Sequence, residues 1–185
     1  VPYEEPELKR VTECQPVAQS KLTMAFRAQV PAEERLLFQL TSAVLGEPTS
    51  SKLFQNVREK QSLCYYCDSA FSWVNNAMFI ESGVETDNLD RAEEAILAQI
   101  TAMQKGEVSE DELKYAKLYM CNHLRAVEDS LHRVESWYMS RAFDQPDMSP
   151  EQAAGILTEY TVDDVVQAAN RLQPAVVYKL KGGGE

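Results

Sequence analysis

A chain of 185 residues, 44% hydrophobic and 25% charged, has the composition of a globular domain with room for one good core. Acidic side chains outnumber basic ones 29 to 18, for a net charge of −11. That argues against nucleic acid or an anionic membrane as a partner, because both bind dense basic surfaces, and no apolar run approaches the ~20 residues that span a bilayer.

Residues 1–17 carry three prolines, several charges and no period, and read as a linker or extended arm. The remainder, 18–185, reads as a single domain. A start at Val1 and an end in "KGGGE" suggest a piece cut from a longer polypeptide. "KLTMAFRA" (21–28) alternates, with Leu22, Met24 and Phe26 on one side, which predicts a strand with one buried face. Pro31 opens a helix over 32–45 with Leu36, Leu37, Leu40, Val44 and Leu45 as its apolar stripe, and Gly46 stops it. "EPTSS" then supplies a turn and a serine N-cap for a short helix carrying Leu53, Phe54 and Val57.

Two strands follow, 64–74 and 77–85, joined at Asn75-Asn76, where asparagine tolerates the positive φ of a two-residue turn. Pairing Val74 with Ala77 places Cys67, Phe71, Trp73, Met78, Ile80 and Val84 on one face. Tyr66, Asp68, Ser72, Phe79, Glu81 and Glu85 then share the other. A sheet with one greasy and one wet side is the antiparallel α+β pattern, with helices packed on one face.

The next helix, 88–105, buries Leu89, Ala92, Ile96, Ile100 and Met103. "SEDE" (109–112) is a capping box that starts a long helix to about 130, and more helix runs through 131–143. "SPEQAAGIL" and "TVDDVVQAANRL" are two further capped helices, and "AVVYKLK" (175–181) is a closing strand.

Few residues offer metal or nucleophile chemistry. His123 and His132 are nine apart, on roughly opposite sides of one helix, and cannot share an ion. "HRVES" (132–136) misses the H-x-x-E-H zinc helix because Ser136 stands where the second histidine is needed. Cys64 and Cys67 have C-x-x-C spacing, but their odd offset on a strand points them to opposite faces, and no second pair completes a zinc set. Reduced thiols in a cytosolic protein are the better reading.

"SSKLFQNVREKQSLCYY", followed by a hairpin ending "FIESGVETDN" and by the "G-x-x-S-E-D-E-L" helix start at 106–113, resembles the C-terminal half of the pitrilysin/insulinase family of zinc peptidases. That family includes mitochondrial processing peptidase, and the likeness runs from about residue 19 to the end, closest to bacterial two-domain members. The resemblance implies the mitochondrial processing peptidase/LuxS-like metallohydrolase fold, two homologous halves around a chamber, and zinc held by one half only. The metal-free half supplies an arginine and a tyrosine, seven apart, that reach the bound peptide. Here that spacing matches Arg58 and Tyr65.

A guanidinium can hold a peptide carbonyl in fixed geometry, and a phenol can stabilise an oxyanion. In the strand register above, however, Tyr65 points to the apolar face and Tyr66 to the wet one. Either a bulge or late strand start frees Tyr65, or Tyr66 takes its place. The family's zinc helix corresponds to about 33–45, where "EERLLFQLTSAVLG" has no histidine. The resemblance therefore implies no catalytic residue and no cofactor in this chain, with zinc, where used, in a homologous N-terminal domain or partner subunit. A bacterial cytoplasmic setting and a peptide substrate are the matching expectations. The alternative is a catalytically dead scaffold within a metallopeptidase-like heterodimer.

Overall fold

The computed structural model describes residues 7–142 and 145–183. The first six residues of the expected arm and the end of the helix expected over 131–143 lie outside the described residues. Five strands among the described residues form one sheet: β1 (Lys9–Gln15), β2 (Ser20–Arg27), β3 (Cys64–Ser72), β4 (Ala77–Val84) and β5 (Gln173–Gly182). Their order is β1-β5-β2-β4-β3, antiparallel throughout except for the parallel β1–β5 pair.

β1 lies within 1–17, the stretch expected as a linker or extended arm. All seven of its side chains are exposed, so it carries no apolar alternation from which a strand could be read. The register on β5 holds it instead, with Tyr178 donating from its hydroxyl to Glu13 at 2.9 Å.

Six α-helices accompany the sheet among the described residues: α1 (Arg35–Gly46), α2 (Leu89–Gln104), α3 (Glu110–Arg125), α4 (Leu131–Arg141), α5 (Pro150–Glu159) and α6 (Val162–Asn170). A helix that is apolar on every side must be wrapped on every side. In α1 only Arg35 and Gln39 escape full burial, and the helix lies between β3 and the layer of α3, α5 and α6. Beneath it the inward residues Leu22, Met24, Phe26, Met78, Ile80 and Val84 are all essentially inaccessible. Burying each is worth roughly 1.5–3 kcal/mol. α1 ends where it meets β3: a Cβ on Gly46 would lie 2.7 Å from Ser69 Oγ.

The expected capping box is present at Ser109/Glu112, and the two further helices expected to be capped also begin with boxes, at Ser149/Gln152 and Thr161/Asp164. The helix expected to run on to about 130 stops at Arg125, so His123 and His132 sit on separate helices.

The β3–β4 hairpin differs from its expected register by two residues. Ser72, not Val74, pairs with Ala77, and residues 73–76 form a four-residue connection with only Asn76 at positive φ. A shift of one would have exchanged the faces, whereas a shift of two preserves them. Trp73 leaves the strand, and the Arg35 guanidinium stacks on its ring at 4.9 Å.

At the other end of β3 a bulge intervenes. Cys64 pairs with Val84 and Tyr66 with Gly83, so Tyr65 is an extra residue. Val84 and Ser82 face the same side of β4, so Cys64 and Cys67, opposite them, share the covered face. The expectation that the two thiols point to opposite faces is thereby overturned. It held only for an unbulged strand.

Candidate substrate-contact site

Arg58 sits on a π-helix, Leu53–Glu59, not on an ordinary α-turn. The widened turn is closed by Lys60 N donating to Gln55 O, five residues back, at 3.1 Å. No side chain caps its start, so the serine N-cap expected there is not formed. Leu53 and Val57 anchor it in the core. Lys52 ties its base to Glu112 on α3 at 2.9 Å, and Asn56 Nδ2 donates to Gln99 Oε1 on α2 at 2.7 Å. A π-turn costs hydrogen-bond geometry and recurs at functional sites. Its effect here is to turn Arg58 outward from a fixed platform. The guanidinium lies 4.6 Å from the centre of the Phe54 ring, four residues back, an arrangement worth about 0.5–1 kcal/mol when exposed. Its ion pair to Glu59, at 3.8 Å, is loose.

The chain then reverses through Ser62, at φ 51°. Ser62 N donates to Arg58 O at 3.0 Å and Leu63 N to Val57 O at 3.2 Å, in the manner of a helix end closed by a left-handed residue. Three residues after Ser62 the bulge frees Tyr65, which is 54% exposed. Arg58 and Tyr65 line one cavity of about 400 Å³, together with Glu59, Ser62, Leu63 and Glu85. The sequence spacing thus becomes a spatial pair.

Tyr66 has a different place. Its ring lies across Gly83, where a Cβ would be 2.4 Å from Tyr66 Cε1, and it does not line that cavity. Burial, with Glu81 and Asp68 adding to it, raises the Tyr66 phenol above its usual range and keeps it neutral.

Two partners of the site were not legible as such. Phe54, the platform, is signalled by its four-residue spacing to Arg58. Cys64, in the cavity wall, was discounted on the straight-strand argument. A larger cleft of about 660 Å³ between α1, β3 and α3 is lined by Glu47, Asp68, Tyr119 and His123 but holds neither Arg58 nor Tyr65. Among the described residues no three histidine, cysteine, aspartate or glutamate side chains converge to hold a metal ion. His123 Nδ1 lies 2.9 Å from Tyr119 O, and His132 is exposed on α4.

Residues 1–120 match the family model described as the peptidase M16 inactive domain. The chain belongs to that family. It is an M16-type inactive domain of zinc-protease-like proteins, as the sequence resemblance implied. The "Probable inactive metalloprotease YmfF" of Bacillus subtilis is 28% identical over 176 residues, which cover 94% of this chain and 41% of that protein. An uncharacterized zinc protease of Rickettsia felis is 30% identical over 142 residues, covering 72% of this chain and 33% of that protein. The chain thus spans less than half the length of these curated relatives.

A conserved protein from Enterococcus faecalis superposes with a TM-score of 0.89 at 24% identity, over 97% of this chain and 43% of that one. A peptidase M16 inactive domain from Pseudomonas fluorescens superposes with 0.75 at 18% identity, over 98% and 45%. Both share the fold, so the α+β architecture expected from the sequence is the one these solved structures have.

Proposed function

We propose that this domain is the metal-free wall of a peptide-holding chamber, in which Arg58 and Tyr65 bind backbone carbonyls of a substrate processed by a homologous half. The observation that carries this is the shared cavity: a stacked, outward guanidinium and a bulge-released phenol meet over one concavity. Arg58 would donate from its fork to a peptide carbonyl, fixing the register of the chain. Tyr65 would donate its hydroxyl proton to an adjacent carbonyl oxygen as negative charge develops there.

Zinc finds no ligand set among the described residues, and the reading places it in the homologous half, where it would supply the activated water. Leu131, 90% exposed, and Met139, about two turns further along α4, leave apolar surface that such a half could cover. Four free cysteines support a reducing, cytoplasmic setting.

The test uses the complete protein with its zinc-bearing half. Arg58→Ala and Tyr65→Phe should each lower kcat for peptide cleavage by ~100-fold, as loss of an oxyanion donor does. Unchanged turnover in both rejects the assignment. A second reading has its own support, since the Bacillus subtilis relative is named as inactive. In it the assembly holds peptide or a partner subunit without cleaving. A complete protein that binds no zinc and cleaves no peptide, yet loses peptide affinity on Arg58→Ala, would favour that reading.

A further inference from the structure

We propose that Cys64 is a reactive thiol in the wall of the Arg58–Tyr65 cavity, built to exchange with low-molecular-mass disulfides. The geometry rests on the bulge. By inserting Tyr65 it brings Cys64 round to the face that Cys67 occupies, so that the two thiols of the C-x-x-C interact. They are not equivalent. Cys67 is 2% exposed and packed in the core, whereas Cys64 is half-buried and lines the cavity. One thiol can therefore meet a reagent while the other can only donate to it.

Hydrogen bonding, more than charge, favours an anion at Cys64 over Cys67. The Cys67 thiol donates to Cys64 and Arg58 on the π-helix adds a positive charge; burial and Asp68 act against ionisation, and the Ser82 hydroxyl is committed to the Tyr66 carbonyl at 2.9 Å. Glu59 and Glu85 also line the cavity and supply its remaining negative charge. The balance holds Cys64 at about 7, below the usual thiol range. Cys67 moves the other way, far above its usual range, through its hydrogen bond to Cys64 and burial. A thiolate is the nucleophile in exchange, and a pKa near ambient pH is the optimum for it.

The chemistry balances without another oxidant. The Cys64 thiolate attacks one sulfur of a disulfide such as oxidised glutathione. The reagent's S–S bond breaks as a new one forms to Cys64 Sγ, and the other half leaves as a thiolate that takes a proton from water. The adduct would then occupy the cavity that Arg58 and Tyr65 line.

The test needs no enzymatic activity and is independent of the proposed function. The complete protein is alkylated with iodoacetamide from pH 5.5 to 9.5, and site-resolved peptide mass spectrometry follows Cys64 and Cys14 in one digest. Cys64 should label with a midpoint near 7, and at pH 7 about fivefold faster than the exposed Cys14, the higher thiolate fraction outweighing its lower intrinsic nucleophilicity. Cys67→Ala should raise the Cys64 midpoint towards the ordinary value of about 8.5, whereas Cys67→Ser, which keeps a donor, should largely hold it down. Oxidised glutathione at pH 7 should leave an adduct on Cys64 ahead of Cys14, removable by dithiothreitol. A Cys64 midpoint in the ordinary range, or labelling no faster than Cys14, overturns the proposal, and so does a glutathione adduct that forms equally on both.

Discussion

Tyr66 occupies the space above Gly83 on the neighbouring strand: a Cβ built there would fall 2.4 Å from Tyr66 Cε1 and 2.9 Å from Cδ1. Cross-strand pairs are the unit of sheet stability, and a ring over a glycine fills the gap left by the missing side chain. Gly83→Ala should therefore push the ring aside and destabilise the domain by about 1–3 kcal/mol. In a Tyr66→Ala background the same change should cost much less. Urea unfolding of the four proteins of this cycle measures the coupling. A cost equal in both backgrounds would mean that the ring does not fill this space.

The same relationship separates the two tyrosines chemically. Tyr65 is exposed at the bulge and lines the Arg58 cavity, whereas Tyr66 works through its ring. Under the proposed function, Tyr66→Phe should leave peptide affinity of the complete protein within about twofold of the parent, while Tyr65→Phe should weaken it by the ~1 kcal/mol of a lost hydrogen bond. Calorimetric titration with a peptide substrate checks this, and the reverse ranking would assign the contact to Tyr66.

What the sequence made readable followed from period and punctuation. α1 could be read from its leucines, one helix from its capping box and two from their capping residues, because those signals are local. The sheet faces survived a wrong hairpin register because the error was an even number of residues. β1 was not readable, since an edge strand with both faces in water needs no apolar residues. The bulge at Tyr65 was one of the alternatives the strand register left open, and only the pairing of Cys64 with Val84 and of Tyr66 with Gly83 selects it. The spacing from Arg58 to Tyr65 was visible as a motif, but the common cavity and the convergence of Cys64 with Cys67 depend on that one inserted residue.

Ser62 holds the turn between Arg58 and β3 at φ 51°, a conformation in which glycine carries no Cβ penalty. Ser62→Gly should thus stabilise the domain by up to ~1 kcal/mol, and Ser62→Val should destabilise it by more than that. Thermal unfolding of the two variants decides it. If valine is tolerated without loss, the left-handed turn is not what closes the π-helix.

Lys179 on β5 is 13% exposed and pairs with two carboxylates of α2, Glu93 at 2.6 Å and Asp90 at 2.5 Å, while Arg10 on β1 reaches Glu93 from the edge. Burial opposes ionisation of Glu93, but hydrogen bonds from Lys179 and Arg10 outweigh it and hold the carboxyl below the usual range. Lys179→Ala leaves the buried Glu93 with only a half-exposed partner and should cost about 3 kcal/mol. Arg10→Ala should cost under ~1 kcal/mol. A folded pKa below the unfolded one gives stability that is present above the unfolded value and lost as pH falls through the folded one. The penalty of Lys179→Ala should accordingly shrink on acidification below about pH 4. Urea midpoints at pH 7 and pH 3.5 measure it.

Glu47 follows α1 in the larger cleft, beside Tyr119 and His123. Burial raises its carboxyl to about 7 from 4.5, against the opposing pull of a hydrogen bond from Ser42 and of His123. For an acid raised on folding, the native state binds the extra proton between those two values, so stability falls as pH rises through that window. The drop should reach about 2 kcal/mol by pH 8, less than the full shift implies because the side chain keeps partial solvent access. Glu47→Gln holds a neutral side chain of the same shape at every pH. Its stability should match the parent at pH 4.5 and exceed it by that ~2 kcal/mol at pH 8. Parent and variant curves that stay parallel across the window would show Glu47 to be ionised like a surface carboxylate, and the cleft to be wet.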